Sequence, residues 1–404
     1  MNERQPISRG FVVVLGLLTA LVAFALDISL PAIPQMVADL GTTMTAGQQV
    51  VGLFMAGMAV GQVPFGLVSD RIGRLPVLYF GVGLFTLAGF VTAVSDDISV
   101  MLAARFVQGI GSSAGMVLAR AMVRDVSSGT EAARLMSVMV MVFTAAPMLA
   151  PMFGSLLVSV MGWRLPFAAT AVAGLLLLLG MYTSLRETLV KRPRPHMLRQ
   201  LWTSMTEFFS HRQSIYGVLV IMMTIIGIMA LISGSSAMII EIYVYPVEYF
   251  GFIFALTGLA ILAGSTVNRK LLQRFEALQM IGAGATIAAI AGGQMLLMLW
   301  LGEPPFWWVW GNACLFMAGT AFLLPNATAL ALDPVPEIAG VAASVIGTIQ
   351  SLAGAVSAII SSALYTGTIL NVALVIGCSG VGVFLLFLLR RIVLGDTPLH
   401  DEVP

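Results

Sequence analysis

Long apolar stretches recur along the whole chain, from Phe11 to Leu389. A helix needs about 20 apolar residues to cross the hydrocarbon core of a bilayer, and only helices and closed barrels satisfy all their backbone hydrogen bonds there. We therefore predict an all-α polytopic membrane protein with twelve transmembrane helices. The predicted spans are 11–33, 47–68, 76–94, 98–122, 134–160, 165–184, 214–238, 249–268, 278–301, 306–331, 339–364 and 370–389.

The composition excludes a soluble protein. Of the 404 residues, 59% are hydrophobic and 10% are charged, whereas soluble proteins carry about 25% charged residues. The net charge of +1 gives no electrostatic basis for binding nucleic acid. Cys314 and Cys378 both fall within predicted spans, so we expect no disulfide framework. The stretch 11–33 is too long for the core of a signal peptide, and we assign it to helix one.

Lys and Arg residues orient the predicted helices, because they accumulate in the cytoplasmic loops of membrane proteins. With the N-terminus in the cytoplasm, every Lys and Arg lies at or near the cytoplasmic side except Arg105 and Arg164. We therefore predict that both termini are cytoplasmic.

A polar, basic stretch divides the predicted spans into two equal halves. We predict an N-terminal six-helix bundle at 1–184, a cytoplasmic linker with an amphipathic helix at 185–213, and a C-terminal six-helix bundle with a short cytoplasmic tail at 214–404. Two such halves around a central pathway are typical of secondary transporters. The chain has no G-x-x-x-x-G-K-[ST] phosphate loop, so we do not expect ATP to be the energy source.

Two ionisable residues lie deep within predicted spans, Asp27 in helix one and Arg105 in helix four. Each is about seven residues from the outer end of its helix, or roughly 10 Å deep. A buried charge costs roughly 2.5–3.5 kcal/mol on insertion scales, so each marks a candidate functional site. We predict that Asp27 is a proton-coupling site with Arg105 as its partner. The alternative is a purely structural buried ion pair.

The loop between predicted helices two and three contains glycines and charges that suit a conformational latch, a set of contacts formed in one conformation and broken in the other. Its glycines permit a tight turn and close helix approach, and its charges can pair with each other or with a helix end. Together with two arginines of helix four, the predicted latch residues are Gly66, Asp70, Arg71, Gly73, Arg74, Arg120 and Arg124.

Predicted helix five contains two prolines four residues apart, Pro147 and Pro151, followed by Gly154. Proline removes a backbone donor and bends or loosens a helix. We predict that these three residues form a hinge that seals or opens a central cavity.

At these residues the sequence resembles the major facilitator superfamily, and more narrowly the bicyclomycin/chloramphenicol resistance (Bcr/CflA) family of drug:proton antiporters. Residues 66–74 match the loop signature G-x-x-x-D-R-x-G-R, and residues 105–111 match the helix-four signature R-x-x-Q-G-x-G. Residues 147–154 resemble the helix-five antiporter signature, and residues 27–34 and 116–125 resemble segments of the subgroup. Departures from the family pattern occur at Ser29, Leu75, Ala150 and Ser236.

The resemblance implies a major facilitator fold and export of small amphipathic compounds, as in multidrug or antibiotic efflux, by proton-coupled alternating access. It also implies a multi-pass protein of the bacterial inner (cytoplasmic) membrane. We expect a small-molecule substrate, protons and the lipid bilayer as partners, with no nucleic acid, cofactor or metal, and a monomer. The predicted substrate-cavity residues are Gln62, Gln108, Met58, Met139, Met223, Asn312, Asn326 and Gln350.

Two other functions stay open at this point. The polar residues among the predicted cavity set suit a transporter of one specific metabolite, such as an amino acid or sugar, in either direction. A membrane sensor that moves no substrate is the third hypothesis. We do not predict an enzyme, because the three histidines lie in cytoplasmic segments and the predicted spans contain no nucleophile–base pairing.

Overall fold

The computed structural model describes residues 8–189, 197–302 and 304–394, and these ranges contain helices and no strands. Within these ranges, twelve helical segments are long and apolar enough to cross a membrane. The prediction of an all-α protein with twelve spans is therefore confirmed.

The first six spans are built from seven α-helices, because the first span is broken. Helix α1 ends at Asp27, a 3-10 turn covers Leu30–Ala32, and α2 continues the span to Asp39. The helices are α1 (Arg9–Asp27), α2 (Ile33–Asp39), α3 (Met44–Ile72), α4 (Arg74–Val94), α5 (Ile98–Val126), α6 (Gly129–Met161) and α7 (Arg164–Ser184).

The second half follows a short amphipathic helix that lies within the predicted linker. The helices are α8 (Met197–Ser210), α9 (Arg212–Ser236), α10 (Val247–Leu271), α11 (Ala277–Leu301), α12 (Phe306–Leu332), α13 (Ala339–Ala363), α14 (Leu370–Leu388) and α15 (Arg390–Leu394). Helix α9 continues as a π-helix, Ala237–Ile242. In α8, Phe208 is fully buried whereas Trp202 is 69% exposed, which is the pattern of a helix with one packed face.

Side chains that accept hydrogen bonds from the first turn begin several of the long helices. Ser8 Oγ accepts from Phe11 N at the start of α1, and Thr43 Oγ1 accepts from Ala46 N at the start of α3. Asp97 begins α5, where its Oδ1 accepts from the backbone N–H groups of Ser99 and Val100. These oxygens satisfy donors that have no partner within the helix.

Glycines bring α3 and α5 into backbone contact. A Cβ atom added at Gly57 would collide with the carbonyl oxygen of Phe106, and one added at Gly109 would collide with that of Phe54. Small residues permit this close approach in membrane proteins, where van der Waals packing drives helix association. The contact fixes the depth at which the two helices lie side by side.

The chain forms two compact units. The first comprises Met1–Pro195 and Ile239–Ala255, and the second comprises His196–Met238 and Leu256–Pro404. The π-helix therefore contains the point at which the chain passes from the second unit to the first. The division into bundles at 1–184 and 214–404, joined by a linker, stays a prediction.

Uncharged polar groups join the helices of the second unit. Ser357 Oγ of α13 donates to the carbonyl oxygen of Ile226 at 2.6 Å, and Ser379 Oγ of α14 donates to that of Met223 at 2.5 Å. Both acceptors lie on α9, which makes α9 the helix that α13 and α14 share. Such interhelical hydrogen bonds each contribute about 0.6 kcal/mol in membranes.

Candidate functional site

The break between α1 and α2 creates a polar site inside the first unit. Pro31 has no backbone N–H, so the carbonyl group of Asp27 lacks its usual helical donor. Ser29 Oγ donates to the carbonyl oxygen of Leu26 at 2.7 Å, which satisfies one of the acceptors left at the end of α1. The carbonyl group of Ala25 is left available to a neighbouring helix.

Arg105 of α5 is fully buried and binds this end of α1. Its Nη1 and Nη2 atoms both donate to the carbonyl oxygen of Ala25 at 3.3 Å, and its Nε donates to the carbonyl oxygen of Val50 at 3.4 Å. The C-terminal end of a helix carries partial negative charge, so it stabilises a cation placed there. A guanidinium group supplies enough donors to satisfy several carbonyl groups at once.

Two aromatic rings complete the surroundings of Arg105. Its Cζ atom lies 4.6 Å from the ring centroid of Phe54 and 5.7 Å from that of Phe167. Both separations are within the range of cation–π attraction, which is strongest for desolvated cations. Carbonyl groups and ring faces therefore surround this cation inside the first unit.

Gln108 connects Arg105 to α7. Its Oε1 accepts from Arg105 Nη1 at 2.9 Å, and its Nε2 donates to Thr170 Oγ1 at 3.0 Å. The hydroxyl group of Thr170 in turn donates to the carbonyl oxygen of Phe167 at 2.7 Å. Gln108 was expected to line the substrate cavity, and the structure gives it a place in this hydrogen-bonded chain.

Asp27 lies two residues beyond Ala25 and is 3% exposed. The structure does not contain the expected ion pair between Asp27 and Arg105, and in residues 8–189, 197–302 and 304–394 no basic side chain pairs with this carboxyl group. The physical reason is that Ala25, Val50 and Gln108 accept the hydrogen bonds of Arg105 instead. Matching depth along the helices correctly placed the two residues in one region, but depth alone does not determine contact.

A second polar cluster surrounds Arg74, the first residue of α4, which is 7% exposed. Its guanidinium group pairs with Asp70 at 2.5 Å and with Asp125 at 2.9 Å, and it donates to Ser69 Oγ at 2.8 Å. Gly73 permits the turn between α3 and α4, because its φ of +114° is a conformation that side chains disfavour. We call Asp70, Arg74, Asp125 and Glu187 the Arg74 cluster.

The predicted latch residues do not all take part in the Arg74 cluster. Arg71 is exposed, and within the described part of the chain neither Arg120 nor Arg124 pairs with an acidic group. A Cβ atom added at Gly66 would make only an ordinary contact, with the side chain of Val117. The acidic partner from α5 is Asp125, next to Arg124.

Glu187 belongs to the Arg74 cluster and was missed by the sequence analysis. Its carboxylate accepts backbone hydrogen bonds from Arg74 and Leu75 at 2.9 and 3.1 Å, and from Thr188 and Leu189 at 3.0 and 2.9 Å. Burial by itself raises the pKa of this carboxyl group, but the four N–H donors outweigh burial, so the pKa lies below its usual value. Nothing near Glu187 in sequence indicates this contact, because α4 begins more than a hundred residues earlier.

The proline-containing helix is continuous from Gly129 to Met161. Gly154 packs against the α1 break, since a Cβ atom there would collide with the carbonyl oxygen of Ile28. Ser155 Oγ donates to the carbonyl oxygen of Pro151 at 2.9 Å and accepts from the backbone N–H of Gly251 at 3.0 Å. The predicted hinge residues Pro147, Pro151 and Gly154 thus lie on a helix that packs directly against the break beside Asp27.

The remaining predicted cavity residues have varied surroundings. Asn326 donates to Asn268 Oδ1 at 3.0 Å and to the carbonyl oxygen of Phe322 at 2.7 Å, and Asn312 donates to that of Trp308 at 3.0 Å. The Asn326 amide therefore binds both a neighbouring helix and its own helix, and the Asn312 amide binds its own helix. Of the others, buried side chains occur at Gln62, Met58 and Met139, and half-buried ones at Met223 and Gln350.

A third cluster lies at the opposite end of the first unit and was also missed by the sequence analysis. Arg164, at the start of α7, pairs with Asp39 at 2.8 Å and with Asp96 at 2.5 Å. Asp39 also accepts from Trp163 Nε1 at 2.8 Å, and the guanidinium group of Arg164 lies 4.2 Å from a ring centroid of Trp163. These contacts join α2, the α4–α5 loop and the start of α7.

The chain is similar to membrane transporters along most of its length. The family model of the Major Facilitator Superfamily matches residues 15–358. YdgK of Bacillus subtilis, an uncharacterized MFS-type transporter, is 30% identical over 371 residues, covering 90% of this chain and 92% of the relative. A bicyclomycin resistance protein homolog of Haemophilus influenzae is 28% identical, and multidrug resistance protein D of Escherichia coli is 29% identical; each alignment covers 88% of this chain and 89% of the relative.

Solved structures share the fold. The crystal structure of a D-xylose-proton symporter has a TM-score of 0.74 at 17% identity, covering 94% of this chain and 97% of that chain. The xylose transporter XylE of Escherichia coli, in a partially occluded inward open conformation, has a TM-score of 0.72 at 16% identity, covering 98% and 99%. The sequence relatives confirm the predicted family resemblance and indicate a membrane transporter rather than an enzyme. This protein belongs to the Major Facilitator Superfamily.

Proposed function

We propose that this protein is a proton-coupled secondary active transporter that exports small amphipathic compounds, with Asp27 as the site that binds the proton. The names of two relatives, a bicyclomycin resistance protein homolog and a multidrug resistance protein, support the export of such compounds. The observation that carries the proposal is the buried Asp27 carboxyl group, which has no paired cation among the described residues.

The surroundings of Asp27 suit alternate binding and release of a proton. An ionised carboxylate buried without a cation is costly in hydrocarbon, and protonation removes that charge. When Asp27 is ionised, Arg105 can exchange a carbonyl acceptor, such as Ala25 O, for the carboxylate. On this proposal, the ion pair expected from the sequence forms only when Asp27 is ionised.

A change at Arg105 would be transmitted to the packing of α1. Arg105 holds the end of α1 through Ala25, and Gly154 of α6 packs against Ile28 just beyond it. Loss of the Ala25 hydrogen bonds would loosen the α1 break and the adjoining part of α6. We propose that this links protonation to the two conformations of alternating access, with Pro147 and Pro151 allowing α6 to bend.

The Arg74 cluster is proposed to stabilise one of these conformations from the cytoplasmic side. The distribution of Lys and Arg supports cytoplasmic termini. With that orientation, Arg74 at the start of α4 would lie at the cytoplasmic side. The bacterial relatives support a location in the bacterial inner membrane. We propose that the protein functions as a monomer.

Transport of one specific metabolite is the second candidate function. The half-buried amide of Gln350 makes no hydrogen bond with any described residue and could recognise a polar substrate. A panel that contains both lipophilic cations and polar metabolites distinguishes the two candidates. A sensor that moves no substrate would give no gradient-driven flux with either class.

Proteoliposomes with an imposed pH gradient test the proposed function. We expect the wild-type protein to accumulate an amphipathic compound in exchange for protons, and Asp27→Asn to abolish gradient-driven accumulation while retaining binding. Asp333→Asn is the matched control, because Asp333 is exposed and its one side-chain partner, Gln213, can also donate to an asparagine. Gradient-driven accumulation by Asp27→Asn at the wild-type rate would overturn the assignment of the proton to Asp27.

A further inference from the structure

The segment that follows α7 carries Glu187, which contacts Arg74, and Thr188, which contacts Asp125. We propose that Glu187 is a positioning residue, which holds Arg74 in place and couples the beginning of the inter-bundle linker to the α3–α4 turn. This inference rests on the proposed alternating-access function, because it assigns Glu187 a role in the change between conformations.

Glu187 replaces the N-terminal cap that α4 lacks. The residue at the cap position is Gly73, which has no side chain to accept the free N–H groups of the first turn. Glu187 Oε1 accepts from Arg74 N, and its Oε2 accepts from Leu75 N. The beginning of α4 is therefore stabilised by a residue from a distant part of the chain.

Gly73 is required for this contact as well as for the turn. A Cβ atom at position 73 would lie 2.6 Å from Glu187 Oε2, which is closer than real Cβ atoms approach other atoms. A side chain at Gly73 would push the carboxylate away from the N–H groups that it accepts. The glycine of the loop thus makes room for Glu187.

The next residue, Thr188, reinforces the same arrangement. Its Oγ1 donates to Asp125 Oδ2 at 3.1 Å, and the same oxygen accepts from Arg74 Nε at 2.9 Å. Glu187 holds the backbone of Arg74, and Thr188 holds the acidic partner of its guanidinium group. The linker segment consequently fixes both ends of the Arg74–Asp125 contact.

The charges of the cluster explain why backbone donors are needed. Asp70, Asp125 and Glu187 are three acidic groups around one buried arginine, so Arg74 alone does not balance them. Four backbone N–H groups stabilise the Glu187 carboxylate in place of a second cation. Moving the linker segment separates Glu187 from the N–H groups of Arg74 and Leu75, and Arg74 then loses its fixed orientation.

Hydrogen exchange and transport kinetics of Glu187→Gln test this inference. The Gln side chain keeps one acceptor oxygen, which can replace Oε1, and loses the acceptor at the position of Oε2. The backbone N–H of Leu75 donates to Oε2, so its hydrogen should exchange with solvent about tenfold faster, as expected from losing a hydrogen bond to a charged group. We expect the transport kcat to change several-fold, because the rate of the change between conformations is altered, with KM and substrate affinity unchanged. Thr188→Val should give a smaller change in the same direction.

Glu207→Gln is the matched control, because Glu207 is an exposed residue of α8. Unchanged exchange at Leu75, or a changed KM at constant kcat, would overturn the assignment of Glu187. A wild-type protein that shows no proton-driven flux would contradict the proposed function instead. The exchange measurement still decides in that case whether Glu187 positions the first turn of α4.

Discussion

Replacing Gly109 with alanine tests whether backbone contact between α3 and α5 positions Arg105. A Cβ atom at position 109 would collide with the carbonyl oxygen of Phe54, which cannot rotate away because it belongs to the α3 backbone. Restoring an ordinary separation of about 3.5 Å requires the two helices to move apart by about 1 Å or more. That movement would also disturb the contacts of Arg105 with Val50 O and with the Phe54 ring.

Two opposing terms determine the size of the effect. Alanine is more favourable than glycine within a helix by about 1 kcal/mol, whereas overpacking a well-packed contact typically costs about 1–3 kcal/mol and occasionally more. Because the collision involves backbone on both helices, we expect the second term to dominate. Gly109→Ala should therefore lower the free energy of unfolding by about 1–2 kcal/mol.

The assay compares thermal unfolding in detergent and proton-driven flux in proteoliposomes for Gly109→Ala and Gly83→Ala. Gly83 lies within α4, and a Cβ atom there meets no other group within 4 Å. We expect Gly83→Ala to unfold at or above the wild-type temperature and to transport normally, and Gly109→Ala to unfold earlier and transport more slowly. A Gly109→Ala protein as stable and active as wild type would refute the reasoning.

Three further predictions concern the polar clusters. Thr170→Val leaves the buried Nε2 of Gln108 without its acceptor, so the free energy of unfolding should fall by about 1–3 kcal/mol. Chemical denaturation measures this free energy. An unchanged value would contradict the Gln108–Thr170 hydrogen bond. Arg164→Ala removes two exposed ion pairs worth at most about 1 kcal/mol each, together with the contact to the Trp163 ring. Its unfolding temperature should fall slightly at low salt and by less at high salt, where the ion pairs are screened. A large loss that is the same at high salt would contradict this. The pKa of Glu187 is lowered in the folded protein. The wild-type protein should therefore be more stable than Glu187→Gln by its full margin at pH values above the usual pKa of a glutamate. This margin should disappear as the pH falls through the lowered pKa of the folded protein. A difference that grows on acidification would contradict that sign.

The sequence was sufficient to predict the helices, because each span must satisfy its own backbone hydrogen bonds in lipid. Patterns in the loop and in helix four also led to the prediction that Arg74, Arg105 and Gln108 are functional residues, and in the structure all three are buried and hydrogen-bonded. Pro31 and Pro34 do not interrupt the apolar pattern, so the break after Asp27 was not apparent from hydropathy.

Contacts between distant segments were not predictable from the sequence. Arg105 was expected to bind the nearest opposite charge, but the free carbonyl group at the end of α1 becomes available only once the helix breaks. Glu187 binds backbone N–H groups, which every residue except proline possesses, so no residue pattern marks its partner. Such contacts depend on how the helices pack, which single-sequence patterns do not specify.

Proton release on substrate binding is the measurement that tests most directly whether Asp27 carries the exchanged proton. Purified protein in weakly buffered detergent solution is mixed with saturating substrate, and a pH indicator reports the protons released. We predict release from wild type and from Asp333→Asn, and none from Asp27→Asn although that variant still binds substrate. Equal proton release from Asp27→Asn and wild type would contradict the account.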